Sequence, residues 1–270
     1  LALSLRSAAW SVLVQADVEE KLGRLLGLAV AELPVGSVPA SEQIRATPGR
    51  PERPLRVAPA RVKHRSMVTP EGRAALVHAL AHIEFNAINL ALDAAVRFDG
   101  MPDAFYRDWI RVAREEAYHF ILLRDHLARL GYAYGDFPAH DGLWDMAEKT
   151  KGDVLARIAL VPRTLEARGL DASPLIRAKL AQAGDLKAAL IIDTILHDEI
   201  GHVAIGNLWY RWLCAERELD PIGTYWELAQ RFDAPVPRGP FNVAARLAAG
   251  FDTEELQLLE ANASARAMRG

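Results

Sequence analysis

Apolar residues return every three or four positions from Leu76 onward, at Leu76, Leu80, Ile83, Ala87, Leu90 and Ala94, the spacing that lines one face of an α-helix. Thr69-Pro70-Glu71 opens the stretch with a capping hydroxyl and a proline suited to the first turn, and Asp99-Gly-Met-Pro102 closes it. The same pattern predicts a second long helix from about Asp103 to Leu130, stopped at Gly131. A third begins near Asp141 and runs towards Gly169 with Pro162 as a kink, and a short helix follows over Pro174 to Ala183. A fourth long helix covers Asp185 to Arg217 and ends before Asp220-Pro221. Upstream, Ser4 to about Leu33 reads as two short helices broken at Asp17, whose carboxylate suits a helix start. Pro34, Pro39, Pro48, Pro51, Pro54, Pro59 and Pro70 crowd the next segment, which predicts extended chain. Beyond Pro235, Pro237 and Pro240, short helices are expected, one of them from Thr253 to about Ala263. Period-two alternation bounded by turns does not persist anywhere, so the expected class is all-α.

The connector Gly131–Asp141 can reach about 36 Å at roughly 3.3 Å per residue, close to the length of about 40 Å of the helices it joins. The turn Asp99–Pro102 is far too short for that and forces antiparallel neighbours. Two antiparallel pairs joined by one long crossover make a ferritin-like four-helix bundle. The expected organisation is therefore an N-terminal helical and proline-rich arm (1–68), a bundle (69–217) and a C-terminal extension of short helices (218–270).

Composition narrows the class without changing it. Lysine plus arginine is 32 and aspartate plus glutamate 35, for a net charge of −3, which argues against a chain-wide polyanion binder. Apolar residues at 51% and charged residues at 25% are ordinary for a globular protein. Cys214 is the sole cysteine, so an intrachain disulfide and a thiolate metal cage are excluded and a reducing, cytoplasmic setting is expected. The start, Leu1-Ala-Leu-Ser-Leu-Arg6, lacks the pattern of a secretion signal, and no membrane association is expected.

The chemistry sits on the long helices. The second carries Glu115-Glu116-Ala-Tyr-His119 and the fourth Asp198-Glu199-Ile-Gly-His202. Residues three apart share a helix face, so each Glu and His can grip one ion. The first helix contributes Glu84 and the third Glu166, 32 and 33 residues before Glu116 and Glu199. The chain thus reads twice as a helix with Glu followed by a helix with Glu-x-x-His. Four carboxylates and two imidazoles in that order are the ligand set of a carboxylate-bridged dimetal site. Several anionic oxygens offset the repulsion between two cations, and the mixed oxygen and nitrogen set suits iron, manganese or zinc.

Leu80-Ala-His-Ile-Glu84, Ala113-Arg-Glu-Glu-Ala-Tyr-His119, Leu160 to Asp171 and His197-Asp-Glu-Ile-Gly-His202 resemble the ferritin-like diiron superfamily. Within it, they are most similar to a bacterial family catalogued as a ferritin-like domain of unknown function, a likeness that extends to Pro235-Val-Pro-Arg-Gly-Pro240. The tRNA hydroxylase acting on 2-methylthio-isopentenyladenosine is a more distant relative. The resemblance implies the fold and the metal site but no substrate; the symmetric paired ligands favour a diiron oxidoreductase that oxidises or hydroxylates an organic substrate with dioxygen or peroxide. A ferroxidase or storage protein, a metal detoxifier and a binding module on the same scaffold are the alternatives. The long flanks depart from the storage pattern, so a monomer or homodimer is expected.

Other residues have a bland reading beside a sharp one. Glu115 and Asp198 read as partners to the opposite imidazole or as surface charge. His78, His82 and His197 read as ordinary polar residues, and Trp109 and Tyr118 as packing rather than redox groups. Arg45, Arg50, Arg53, Arg56, Arg61, Lys63 and Arg65 form a basic stretch with Glu52 as its one acid. It reads as a loosely packed, solvated arm, or as a phosphate grip for a tRNA substrate. A small hydrophobic metabolite is the other candidate substrate.

Overall fold

The computed structural model describes residues 4–45, 47–62 and 65–267. Among them the protein is helical throughout, with no strand and a single isolated bridge between Arg56 and Ala139. The chain divides into two compact units, Leu1–Trp144 and Asp145–Gly270.

The first unit is built on two long helices. In chain order its helices are α1 (Leu5–Leu13), α2 (Val18–Leu26), α3 (Ala40–Arg45), α4 (Pro70–Arg97) and α5 (Asp103–Arg129), while α6 (Gly142–Lys149) runs across the division. The expected break at Asp17 is present, its carboxylate accepting from the Glu20 amide at 2.8 Å. Thr69 caps α4 through the Gly72 amide at 3.0 Å with Pro70 in the first turn. Leu80, Ala87, Leu90 and Ala94 are buried as the periodicity predicts, whereas Ile83 is exposed. α4 is long and apolar enough to cross a membrane, but its apolar stretch is mostly buried within the protein.

Arginine and lysine side chains tie the N-terminal helices down. Arg6 on α1 donates to the carbonyls of Ala95, Val96 and Phe98, satisfying acceptors that the end of α4 leaves open. Lys21 on α2 is fully buried and donates to Leu13 O, Gly49 O and Asn89 Oδ1 at 3.1, 2.9 and 2.5 Å. The proline-rich segment is less extended than expected. α3 forms in the proline-free interval after Pro39, whose carbonyl accepts from Glu42 and Gln43.

The expected solvated arm is a partly packed one. Val57 N donates to Ala139 O and Ala139 N to Leu55 O at 2.9 and 3.0 Å, so backbone hydrogen bonds hold the arm to the connector. Arg50 pairs with Asp141 and lies over the Trp144 ring, Arg56 reaches Asp141 at 3.5 Å, and Arg65 pairs with Glu71 and covers Phe137. Arg53 and Arg61 are exposed. Lys63 and the side chain of Arg45 lie outside the described residues.

The second unit contains α7 (Val154–Leu160), a π-helical turn (Val161–Glu166), α8 (Ala167–Gln182), α9 (Leu186–Glu216), α10 (Pro221–Arg231), α11 (Val243–Ala248) and α12 (Thr253–Ala267). The third predicted helix differs in two ways. It is interrupted after α6, and Asp153 starts α7 by accepting from the Leu155 and Ala156 amides. It also does not stop near Gly169, because α8 runs on through Pro174. A proline inside a helix frees the carbonyl four residues earlier; here that is Leu170 O, which accepts from Asn242 Nδ2 at 3.2 Å. The expected kink at Pro162 takes the form of the π turn. Ala167, Leu170, Val203, Ala245, Ala249, Phe251 and Leu256 form a core that packs the C-terminal extension against α8 and α9.

Candidate metal centre

In the first unit, α4 and α5 bring Glu84, Glu116 and His119 together. Glu84 is 5% exposed and the other two are fully buried. His119 Nδ1 lies 3.3 Å from Glu116 Oε2 and 3.4 Å from Glu84 Oε2. Apolar residues near them along α4 and α5, Phe85, Ile88, Ala113, Ala117 and Phe120, are all buried.

Electrostatics follow from that burial. Removal from water, with the Glu116 charge as second cause, pushes Glu84 up to about 8. Burial alone would lower His119, but hydrogen bonds to Glu116 and Glu84 and their charges hold it up at about 12. At neutral pH Glu84 therefore keeps its proton and His119 is an imidazolium. A divalent cation suits the same three groups, because it replaces the two protons with positive charge in a place where uncompensated carboxylates are costly.

In the second unit, α9 carries Glu199 and His202, buried and one turn apart, with Nδ1 and Oε2 separated by 3.8 Å. Glu166 is half-buried at the last position of the π turn. Such turns recur at functional sites because the extra residue re-aims the side chains after it. Glu84, Glu116 and His119 in the first unit, and Glu199 in the second, are buried side chains of kinds that could hold a metal ion.

The neighbours of these residues differ in what they do. His82, two residues before Glu84, is buried with Nδ1 2.8 Å from the Tyr134 hydroxyl and Nε2 3.2 Å from Asp141. Burial would raise Asp141, but His82 and Arg50 outweigh it and hold the carboxyl well below its usual range. His78 accepts from the Gly135 amide at 2.9 Å and stacks on Tyr134. Both histidines thus hold the connector, a role that their helical spacing alone does not disclose. Trp109 is buried edge-on to Phe105, as the packing reading expects, and Tyr118 is 49% exposed. Glu115 and Asp198 are half-buried and His197 is exposed. Sequence pattern does not single out the buried Arg163, within the π turn, or Glu255, which pairs with it; the position of Arg163 directly after Pro162 is the only local signal.

Comparison with known proteins agrees on kinship and leaves the chemistry open. A protein of Haemophilus influenzae, named only as uncharacterized, is 54% identical over 213 residues, covering 76% of this chain and 74% of its own length. No solved structure matches. Residues 14–257 match the model of the family described as "Protein of unknown function (DUF455)", and the chain belongs to that family.

Proposed function

We propose that Glu84, Glu116, His119, Glu166, Glu199 and His202 together ligate two metal ions, iron in use, on a ferritin-like four-helix bundle. On this reading the protein is an oxidoreductase that oxidises or hydroxylates an organic substrate. The observation that carries the proposal is the buried trio on α4 and α5: two carboxylates within 3.4 Å of one imidazole nitrogen, all removed from solvent. The Glu-x-x-His pair on α9 repeats half of that arrangement in the second unit.

Bound iron would supply redox chemistry towards dioxygen or peroxide. The protein's own part is to hold the ligands and keep water out. Glu84 and His119 give up protons when a cation enters, so uptake of metal releases acid. Phe85, Phe120, Ala113 and Ala117 exclude solvent from the carboxylates and strengthen their interaction with any cation.

For the substrate, a small organic molecule is favoured over tRNA. Arg50, Arg56 and Arg65 are engaged with Asp141, Glu71 and aromatic rings, which leaves fewer free charges for phosphate.

Metal analysis of protein produced with iron tests the reading: close to two ions per chain are expected, falling by at least one in His119→Ala and in His202→Ala. Wild type without metal, or variants that bind as much as wild type, would overturn it. Size-exclusion chromatography separates the enzyme from a storage shell, since a monomer or dimer is expected. Comparison of nucleosides and metabolites between a deletion strain and its parent identifies the substrate class, with unchanged nucleosides expected.

A further inference from the structure

We propose that Arg163 is a positioning residue for Glu166, and that the C-terminal extension exists in part to hold Arg163 in place. The inference rests on the metal reading above, because it concerns how one of those ligands is aimed. An α-helix turns about 100° per residue, so the one extra residue of a π turn resets the direction of the next side chain by about that amount. Glu166 is the last residue of this turn. Without the widening, its carboxylate would leave the line of α7 on a different face.

Several contacts hold the turn open. Thr164 Oγ1 donates to the carbonyl five residues back, Ala159 O, at 2.9 Å and meets the Tyr225 hydroxyl of α10 at 3.1 Å. Pro162 packs on Gly206 of α9, where an added Cβ would sit 2.9 Å from the proline's own. Arg163 Nε donates to Asn207 Oδ1 on α9 at 2.7 Å, and its terminal nitrogen pairs with Glu255 on α12. The guanidinium also faces the rings of Tyr210, Tyr225 and Phe251 at 4.6, 4.9 and 5.0 Å.

Arg163 is 3% exposed and Glu255 is 9% exposed. A fully enclosed guanidinium is costly unless every donor direction is answered. Here the answers come from α9, α10 and α12, so docking of the extension and the shape of the turn are one event. Glu255 is itself oriented by the Asp252 amide and by Arg211, both at 3.1 Å. Groups that orient a ligand commonly control metal affinity by about 10- to 100-fold.

Cobalt(II) titration, read by stoichiometry and by the visible absorption of the bound ion, tests this. Wild type is expected to bind two ions. Arg163→Met, which keeps the apolar length of the side chain, is expected to keep one site and weaken the other at least tenfold. Glu255→Gln carries the same expectation, in smaller measure, should Arg163→Met fail to fold. Leu256→Ala removes apolar packing of α12 without touching the guanidinium; it should lower the melting temperature and leave both sites intact. Two unaltered sites in the Arg163 and Glu255 variants would overturn the inference alone. So would an equal loss in Leu256→Ala, which would make the effect one of general stability. A wild type that binds no ion overturns the metal reading, and this inference with it.

Discussion

Acid should unfasten the connector between α5 and α6 through His78. Its Nε2 accepts the Gly135 amide at 2.9 Å, so the ring must be neutral with its proton on Nδ1. Burial is the main cause, and the nearby His82 the second, that lower its pKa from 6.5 to about 4, with Asp136 opposing weakly. Because the folded value lies below the unfolded one, the unfolded chain binds more protons between the two. Stability is therefore complete above about pH 6.5 and is lost as pH falls towards 4. A shift from 6.5 to about 4 is worth about 3 kcal/mol at 1.36 kcal/mol per pKa unit. The assay is urea unfolding at pH 7 and pH 4.5 for wild type and for His78→Gln. Glutamine accepts from the same amide but does not titrate, so subtracting its curve removes every other acid-sensitive group. The wild type should lose about 2 to 3 kcal/mol more than the variant across that interval. Parallel pH profiles, or a ring that titrates near 6.5 by NMR, would refute the reasoning.

Lys21→Met should destabilise the first unit by about 2 to 4 kcal/mol in denaturant unfolding, because three buried acceptors lose their donor. The gain from no longer burying an ammonium whose pKa burial and Arg50 push down to about 7 keeps the loss from being larger; a neutral or stabilising outcome would show that burial dominates. Gly206→Ala should cost about 1 to 3 kcal/mol by overpacking against Pro162 and should shift amide resonances of 161–166; unchanged resonances there would contradict the close approach. Removal of metal with a chelator should lower the melting temperature by about 5 °C or more, the effect of a ligand present at about 100 times its Kd. No shift in a sample shown beforehand to contain metal would count against ligation by buried residues.

Local rules in the sequence determined most of the helices. Thr69-Pro70, Asp17 and Asp220 start helices wherever a side chain can satisfy the first free amides, and those contacts need only neighbouring residues. The Glu-x-x-His pairs were legible for the same reason, since a helix places residues three apart on one face. Burial of Glu84, Glu116 and His119 was partly legible from the apolar residues beside them. Other features depend on partners far along the chain. α8 passes through Pro174 because Asn242 takes the carbonyl that the proline frees. The basic arm is packed because Asp141, Glu71 and the rings of Trp144 and Phe137 meet its arginines. The π turn at Glu166 persists because Asn207 and Glu255, 44 and 92 residues beyond Arg163 in the chain, converge on that guanidinium. Local periodicity reports which face of a helix is apolar. It carries no information on which distant group will satisfy a buried donor or acceptor, and that pairing decides where a helix bends and how the side chains after the bend are aimed.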